Sequence, residues 1–390
     1  MRAAADKYES LFRRHPWQPL PRLAALTIVL VLLGFTLSQY AFLVFRTPWQ
    51  LDFSDFYFAA RTGLTEGWPR MYDTSVSMPA LYAATGNWFP FQHSPVLAWV
   101  LAPLSLLPYP LALTIWDSFL FGCYLFCWRM LTTAGGWTGL FRLAAGLALY
   151  PVALGLALGQ PTMLVLAGVT LCAWLLARDR PLLAAAALTL IAVKPQASFL
   201  IPFALLLAGR VRCFAWFALF SSTLVLLAVL ALGVQGLQNW QHAIEIAYQL
   251  PGIRFNSVGS VIGAGPLATA VSLAAAGITL LIGGLARGQR IELPVAAGLS
   301  GSVLASPYLS VADLSALLIA AWLILRLEPP TWLKAVMLVA YLPFFFANAL
   351  FMHGPFLALE CAWLVALTIF AIGRRRDSRA RVPGPIAIAA

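Results

Sequence analysis

Three ionisable residues stand beside or inside apolar runs, where a charged side chain is expensive and tends to be functional. Asp52 follows the first long apolar run, Lys194 interrupts another, and Asp313 begins a third. Each also has a structural interpretation: Asp52 as a solvated helix cap, Lys194 as a lysine reaching an interface, Asp313 as a first-turn carboxylate on a helix dipole. In catalysis, a carboxylate could deprotonate a hydroxyl and a cation could hold a leaving phosphate.

The sequence offers more than one candidate for each role. Asp55 lies one helical turn after Asp52, so either acid could be the base. Lys194, Arg61 and Arg254 are the candidate cations for a phosphate group. We leave the choice between the two acids open.

Two further residues could line a site. Tyr308 offers a flat ring to a sugar, although aromatic residues at a membrane surface are often interfacial anchors. His93 either lines a site or caps the segment after it. The histidines show no metal-ligand spacing, so we predict no metal site but leave a divalent metal open. The sequence also contains no nucleotide-binding, nucleophile-elbow or zinc-protease motif, so no cofactor is predicted.

The composition restricts the class of protein. Of 390 residues, 61% are hydrophobic and only 10% are charged, whereas soluble domains are about 45–50% apolar and about 25% charged. This excludes an ordinary soluble enzyme and a nucleic-acid-binding chain. The five cysteines all lie in apolar runs, which argues against disulfides and a zinc cluster.

The apolar runs predict an all-α, polytopic membrane protein with about twelve transmembrane helices. The predicted spans are 22–45, 109–131, 140–158, 161–177, 181–193, 195–209, 213–233, 262–286, 291–305, 311–326, 333–352 and 356–373. The run 95–107 is short and bounded by prolines, so we predict a re-entrant or interfacial segment in the first outer loop rather than another span.

The charges predict the orientation of this 22–373 transmembrane domain. One face collects 20 basic and six acidic residues, including those of the tails 1–21 and 374–390. By the positive-inside rule this face is cytoplasmic, with both termini inside. It accounts for the net charge of +11 without a nucleic-acid partner. We expect the tail 374–390 to be disordered. The opposite face carries the long outer loops 46–94 and 234–261 and the candidate residues.

An enzyme at an outer membrane face, without a nucleotide site, needs a donor that reaches it through the bilayer. A sugar linked to a lipid phosphate meets this requirement. Its transfer needs a base beside the acceptor and positive groups beside the phosphate.

An ordered series of short segments carries a resemblance to a known family. The segments are 52–61, Gly67 with Tyr72-Asp73, 91–95 leading into 101–108, 158–160, 193–196, and 306–308 with 313–314. Together they resemble glycosyltransferase family 87, membrane proteins of the GT-C superfamily that include polyprenol-phosphate-mannose-dependent α-1,2-mannosyltransferases. The similarity runs from about residue 50 to about residue 325.

The resemblance implies a GT-C-type fold in the inner membrane of a bacterium. It implies a sugar, with mannose first, moved from a polyprenyl phosphate to a lipid or glycan acceptor, in contact with membrane lipids. Asp52 matches the family's base, with Asp55 as the fallback. Lys194, Gln160 and Asp313 match recurring positions, either for the donor phosphate or for structure.

The alternative is a transporter or a flippase for lipid-linked sugars, because ionisable residues also line substrate pathways. Transporters, however, often contain repeated halves. No such self-similarity joins residues 20–200 to residues 200–375.

Overall fold

The computed structural model describes residues 19–46, 52–86, 88–132, 135–249, 257–345 and 353–380. Every regular element in these ranges is helical, which confirms the all-α prediction for this part of the chain. The α-helices are α1 (Pro19–Arg46), α2 (Asp52–Thr65), α3 (Thr74–Thr85), α4 (Pro95–Leu101), α5 (Tyr109–Leu131), α6 (Gly136–Ala148), α7 (Tyr150–Ala157), α8 (Thr162–Leu176), α9 (Pro181–Leu188), α10 (Ile201–Leu207), α11 (Val211–Gln249), α12 (Val258–Ile262), α13 (Pro266–Leu285), α14 (Glu292–Ala305), α15 (Ser315–Leu325), α16 (Thr331–Tyr341) and α17 (His353–Ala380). Short 3-10 helices cover Trp68–Tyr72, Leu104–Leu106, Thr189–Val193, Val311–Leu314 and Leu342–Phe345.

Four helices in the described ranges are long and apolar enough to cross a membrane. They are α5, α11, α13 and the segment Phe356–Arg376 of α17. The pair α6 and α7, bent by 66°, makes a fifth if it counts as one span. The other predicted spans contain shorter apolar stretches, which for the long helix α1 is Leu23–Ser38. Helix α8, at 15 residues, is about 22 Å long, against a hydrocarbon core of about 30 Å. A total of twelve spans therefore stays a prediction.

The surface of α11 is that of a helix in lipid. Val225, Leu226 and Leu230 are 62%, 58% and 70% exposed, and a large apolar surface of this kind is rare on soluble monomers. By contrast, α8, α14 and α15 are buried on almost every side, as expected for helices that are apolar all round. The protein is therefore a helical membrane protein whose centre is built from short helices.

Small residues let the central helices approach closely. A methyl group at Gly168 would lie 2.6 Å from the carbonyl oxygen of Ala187, and one at Gly298 would lie 2.7 Å from the Cα of Ile201. Neither distance is compatible with a side chain, so these glycines permit backbone-to-backbone contact as in other membrane helices.

The two long predicted loops contain helices. The first, 46–94, holds α2, α3 and the 3-10 helix Trp68–Tyr72. The second, 234–261, begins as a continuation of α11 beyond Gly233, where φ is 59° and the helix is kinked. The prolines that bound the segment 95–107 limit it to α4, of seven residues, and a short 3-10 helix. These helices are too short to span a bilayer.

The C-terminal helix differs from the predicted disordered tail. Helix α17 continues to Ala380, well into the predicted tail, and residues 381–390 lie outside the described ranges. Arg374 donates to the carbonyl of Leu327 at 3.4 Å, and Arg375 donates to those of Gly284 and Leu285 at 3.1 Å. These bonds satisfy carbonyls at the ends of neighbouring helices and hold the start of the basic segment in place.

Candidate functional site

Asp52 is the first residue of α2, and the turn between α7 and α8 holds it in place. The backbone N–H of Phe53 donates to the carbonyl of Leu158 at 3.0 Å. Two residues after Leu158, the side-chain amide of Gln160 donates from Nε2 to Oδ2 of Asp52. A helix start and an interhelical turn, far apart in the sequence, are thus joined through both backbone and side chain.

Gly159 makes this close approach possible. Its φ is +70°, a left-handed conformation that glycine adopts without strain. A methyl group there would lie 2.7 Å from the Cβ of Phe53. Its carbonyl accepts from Nε1 of Trp116 at 2.7 Å, which ties the turn to α5. The segment 158–160 therefore requires glycine at its centre for Gln160 to reach Asp52.

Lys194 lies on the other side of Gln160, at the end of the 3-10 helix Thr189–Val193. Its Nζ donates to Oε1 of Gln160 at 2.6 Å and lies 2.7 Å from Oδ1 of Asp313. Only 1% of the Lys194 and Asp313 side chains is exposed. Lys194 thus forms a buried ion pair and connects through Gln160 to Asp52. We call Asp52, Gln160, Lys194 and Asp313 the site cluster.

Asp313 is held by its own local structure. Its Oδ2 accepts from the backbone N–H of Ser310 at 2.9 Å and from the Ser310 hydroxyl at 3.0 Å, which forms a capping box. Its Oδ1 also accepts from the hydroxyl of Thr162, the first residue of α8, at 3.2 Å. These hydrogen bonds hold the Asp313 carboxylate in position independently of its contact with Lys194.

Thr162 and Ser310 are site residues that the sequence analysis missed. Each lies 3.3 Å from Nζ of Lys194 as well as bonding to Asp313. A Ser-x-x-Asp capping pattern before an apolar run was the available signal for Ser310. Thr162 had no comparable signal beyond its place just after the turn that carries Gln160.

The surroundings of Asp52 raise the pKa of its carboxyl group above the ordinary value. Helix α2 lies outside the membrane-spanning candidates, and Asp52 is half-buried at its start. Burial raises the pKa of Asp52, while the hydrogen bond from Gln160 and the charge of Lys194 lower it, and Asp313 raises it again. Burial and the charge of Asp52 raise the pKa of Asp55 well above its ordinary value. Of the two acids, Asp52 is the one that bonds to Gln160.

A cavity of about 400 Å³ contains two of the predicted substrate-binding residues, His93 and Tyr308. Its lining is mixed aromatic and polar, and includes Gln92, Gln196, Phe199, Tyr248 and Ser306. The volume lies within the range of about 300–1,000 Å³ that small-molecule sites occupy. The charges of Lys194 and Asp313 act on His93, and those of Asp313 and Asp52 act on Tyr308. Pro195, the residue that follows Lys194 in the chain, also lines the cavity, so the cavity lies next to the site cluster.

His93 is neutral in this setting. It is buried, its ring packs edge-on against Phe56 at 4.9 Å, and its carbonyl accepts from the Tyr72 hydroxyl at 2.6 Å. Burial, with the charge of Lys194, lowers the pKa of His93 to about 3. His93 can offer a hydrogen bond to a ligand but supplies no positive charge at neutral pH.

The two remaining predicted cations differ from Lys194. Arg61 is exposed and donates to the hydroxyl of Tyr57 at 3.3 Å. It follows Asp52 along α2 by about 13 Å at about 1.5 Å per residue, so its contact with a phosphate stays a prediction. Arg254 lies outside the described residues.

No three His, Cys, Asp or Glu side chains come together as a possible metal site in the described ranges. The site cluster itself offers hydrogen bonds, one carboxylate with a raised pKa and one buried ion pair. These groups suit proton transfer from a hydroxyl and electrostatic stabilisation of charge that develops nearby during a reaction.

Comparison with known proteins identifies a family. Residues 91–307 match the family model described as Glycosyltransferase family 87, which is more than half of the chain. Neither the curated proteins nor the solved structures give a match. The matched range includes His93, Gln160 and Lys194, whereas Asp52 and Asp313 lie outside it and join these residues through the fold.

Proposed function

The chain belongs to glycosyltransferase family 87, and from this premise we propose that it transfers a sugar from a polyprenyl phosphate to a hydroxyl acceptor. The enzyme is a membrane glycosyltransferase; its donor, sugar and acceptor are the subject of the proposal. The observation that carries the proposal is the site cluster, in which Gln160 joins Asp52 to the buried Lys194–Asp313 pair beside a cavity.

Asp52 is the proposed general base. Gln160 occupies its Oδ2, and we assign Oδ1 to the proton of the acceptor hydroxyl. A raised pKa suits this role, because a general base works best when its pKa approaches the operating pH. Asp55 is the fallback, since it is buried beside Asp52.

The proposed reaction is a single displacement. The acceptor oxygen forms a bond to the anomeric carbon while the bond from that carbon to the phosphate oxygen breaks. The proton moves to Asp52, and the electron pair leaves with the polyprenyl phosphate. Attack from the opposite side inverts the anomeric centre, so a β-linked donor gives an α-linked product.

Lys194 is proposed to act through position and charge. Its two short contacts, to Gln160 and Asp313, hold the amide that binds Asp52. Its side chain is almost fully enclosed, so a donor phosphate reaches it only by displacing the longer contacts to Thr162 or Ser310. Direct phosphate binding by Lys194, expected from the sequence, is part of what the experiments must decide.

The cavity is the proposed place for the sugar. Tyr248 and Tyr308 meet edge to face, with ring centroids 6.5 Å apart, and line the cavity with Gln196 and Gln92. Aromatic rings with polar neighbours suit a sugar, which has apolar C–H faces and many hydroxyls. Mannose is the first candidate, on the resemblance to mannosyltransferases.

A lipid-linked donor fits the position of the site. The sequence has no nucleotide-binding motif, and a donor carried by a polyprenyl chain diffuses within the bilayer. With the basic residues on the cytoplasmic side, the site cluster faces outward. We therefore propose a bacterial inner-membrane enzyme that acts at the extracytoplasmic face with both termini inside.

The decisive experiment compares the wild type with Asp52→Asn and the matched variant Asp55→Asn. Each purified protein receives radiolabelled polyprenyl-phosphate mannose and membrane-lipid acceptors, and label transfer and donor binding are measured separately. We expect Asp52→Asn to lower transfer by about 10²–10⁴-fold, the usual contribution of a general base, while donor binding persists. Asp55→Asn should lower transfer much less.

Other results would change the assignment. Full activity in Asp52→Asn would remove Asp52 as the base, and loss confined to Asp55→Asn would move that role to Asp55. Saturable donor binding without transfer to any acceptor would favour a different sugar or a flippase. Absence of donor binding in the wild type would overturn the proposed donor.

A further inference from the structure

A second, larger cavity lies away from the site cluster and is lined by arginine. Its volume is about 1040 Å³, and its lining includes Arg178, Arg210, Arg290, Arg326 and Arg374. The acidic residues of the lining are Asp179 and Glu292. We call this cavity the arginine pocket.

The arginine pocket lies at the opposite end of the central helices from the site cluster. Helix α8 begins at Thr162, in the site, and ends at Leu176, in the pocket lining. Helix α14 runs the other way, from Glu292 in the pocket to the turn that carries Ser306 beside the first cavity. At about 1.5 Å per residue, these helices place roughly 20 Å between the two sites.

The pocket holds more positive charge than its carboxylates neutralise. Oε1 of Glu292 lies 2.6 Å from Arg290 and 3.4 Å from Arg326. Among the described residues, Arg178 and Arg210 form no ion pair. Arg178 instead lies over the ring of Trp174, 3.7 Å from its centroid, and donates to the Trp174 carbonyl at 3.2 Å. This contact presents a guanidinium with unused donors.

The charges converge on one concavity rather than spreading over the face. The five arginines come from five separate segments of the chain, four of them interhelical and the fifth α17. Arg180 and Arg287 belong to two of the same connections, and Arg212 lies in the first turn of α11, but none of the three lines the pocket. A general excess of basic residues on one side explains positive charge on this face, but not its collection around one cavity.

We propose that the arginine pocket binds the phosphate group of an anionic membrane lipid. Guanidinium groups match phosphate oxygens with paired hydrogen bonds and remain charged at any physiological pH. Basic pockets between membrane helices are suited to lipid headgroups, and this one has room for a headgroup with its glycerol. A free phosphate shares the same chemistry and is the alternative source. The inference is independent of the proposed glycosyl transfer.

The test uses the full-length protein in neutral detergent with a fluorescent phosphatidylglycerol probe. The pocket variant is Arg178→Gln/Arg210→Gln, and the control is Arg180→Gln/Arg212→Gln, with the same charge loss two residues along each segment. Each arginine near a membrane surface contributes between about fivefold and sixfold to the affinity for an anionic lipid, so loss of two arginines should weaken the apparent affinity by roughly 30-fold. The control should stay within about twofold of the wild type.

Competition identifies the ligand. Unlabelled phosphatidylglycerol should displace the probe, whereas phosphatidylcholine and millimolar inorganic phosphate should not. Displacement by inorganic phosphate at that concentration would overturn the lipid as the source. Equal weakening in pocket and control variants, or none in either, would overturn the site itself.

Two checks keep a folding defect from imitating the expected result. The single variants Arg178→Gln and Arg210→Gln should each weaken binding by about fivefold. Without lipid, all variants should unfold at the temperature of the wild type, because neither arginine neutralises a carboxylate in the described structure. Weak binding only in variants with lowered unfolding temperatures would count against the proposal.

Discussion

The ammonium of Lys194 and the carboxylate of Asp313 lie 2.7 Å apart, and only 1% of each side chain is exposed. The positive charge of Lys194 is therefore balanced by the carboxylate of Asp313 inside the protein. Its second short contact, to Gln160, connects this buried pair to Asp52. Lys194 is thus a fixed partner of Gln160 and Asp313 in the proposed proton-transfer site and not a free cation. Five predictions test this arrangement.

Gln160→Ala should move the acid limb of the pH–rate profile to higher pH. The Gln160 hydrogen bond lowers the pKa of Asp52, which burial raises. Without that bond the pKa rises further, so a general base at Asp52 becomes protonated at a higher pH and activity is lost earlier on acidification. The measurement is kcat/KM against pH. Gln196→Ala, which alters the cavity lining, is the control and should leave the limb in place; a limb unmoved in Gln160→Ala would contradict the assignment.

Lys194→Met and Asp313→Asn should be strongly coupled in stability. Removing one partner of a buried ion pair leaves the other charge unpaired and typically costs about 3–5 kcal/mol. The double variant should therefore lose less than the two single variants together, with a coupling of about 0.5–3 kcal/mol. Unfolding in detergent measures this cycle. Strict additivity would mean that the pair contributes nothing as a pair.

Donor binding by the same Lys194→Met variant decides the direct role of the lysine. If a donor phosphate contacts Nζ, binding weakens more than turnover at saturation does. If Lys194 acts through Gln160, the acid limb instead moves to higher pH, because the charge of Lys194 also lowers the pKa of Asp52. We expect the second result because four neighbouring side chains enclose Nζ of Lys194.

Gly159→Ala should impair transfer more than stability. Alanine in the left-handed conformation costs about 1–2 kcal/mol, and its methyl group would push against Phe53, next to Asp52. A displacement of about 1 Å at a reacting group can lower the rate by about 10²-fold. The matched control is Gly122→Ala, in α5, where an added methyl group meets nothing within 4 Å. Equal activity in the two variants would show that this close approach is not needed.

Ser310→Ala and Ser315→Ala should differ in their effects on stability: the first should lower it and the second should not. Ser310 caps the helix start, binds Asp313 and lies near Lys194, so its loss should lower stability by about 1 kcal/mol and reduce activity. The hydroxyl of Ser315 is buried without a hydrogen-bond partner in the described structure, so its removal should be neutral or stabilising. Thermal unfolding and label transfer on both variants check this contrast.

The sequence predicted which residues form the site better than it predicted how they are arranged. Asp52, Lys194 and Asp313 stood out because ionisable residues are rare in apolar runs, and Gln160 through the resemblance to the family. The structure brings these four together. It leaves Arg61, which was a candidate cation for the phosphate, exposed beside Tyr57 and farther along α2. A residue type shows that a position is unusual, but not which neighbour it meets.

Composition and apolar runs determined the helical class and the membrane environment, because both depend on local sequence. Only the tertiary structure decided that Lys194 pairs with Asp313, that Gln160 reaches Asp52 across Gly159, and that five arginines line one pocket. The physical reason lies in the central helices. Since α8, α14 and α15 are apolar on every side, they have no polar face to indicate their neighbours, and small-residue contacts set the packing that joins their ends.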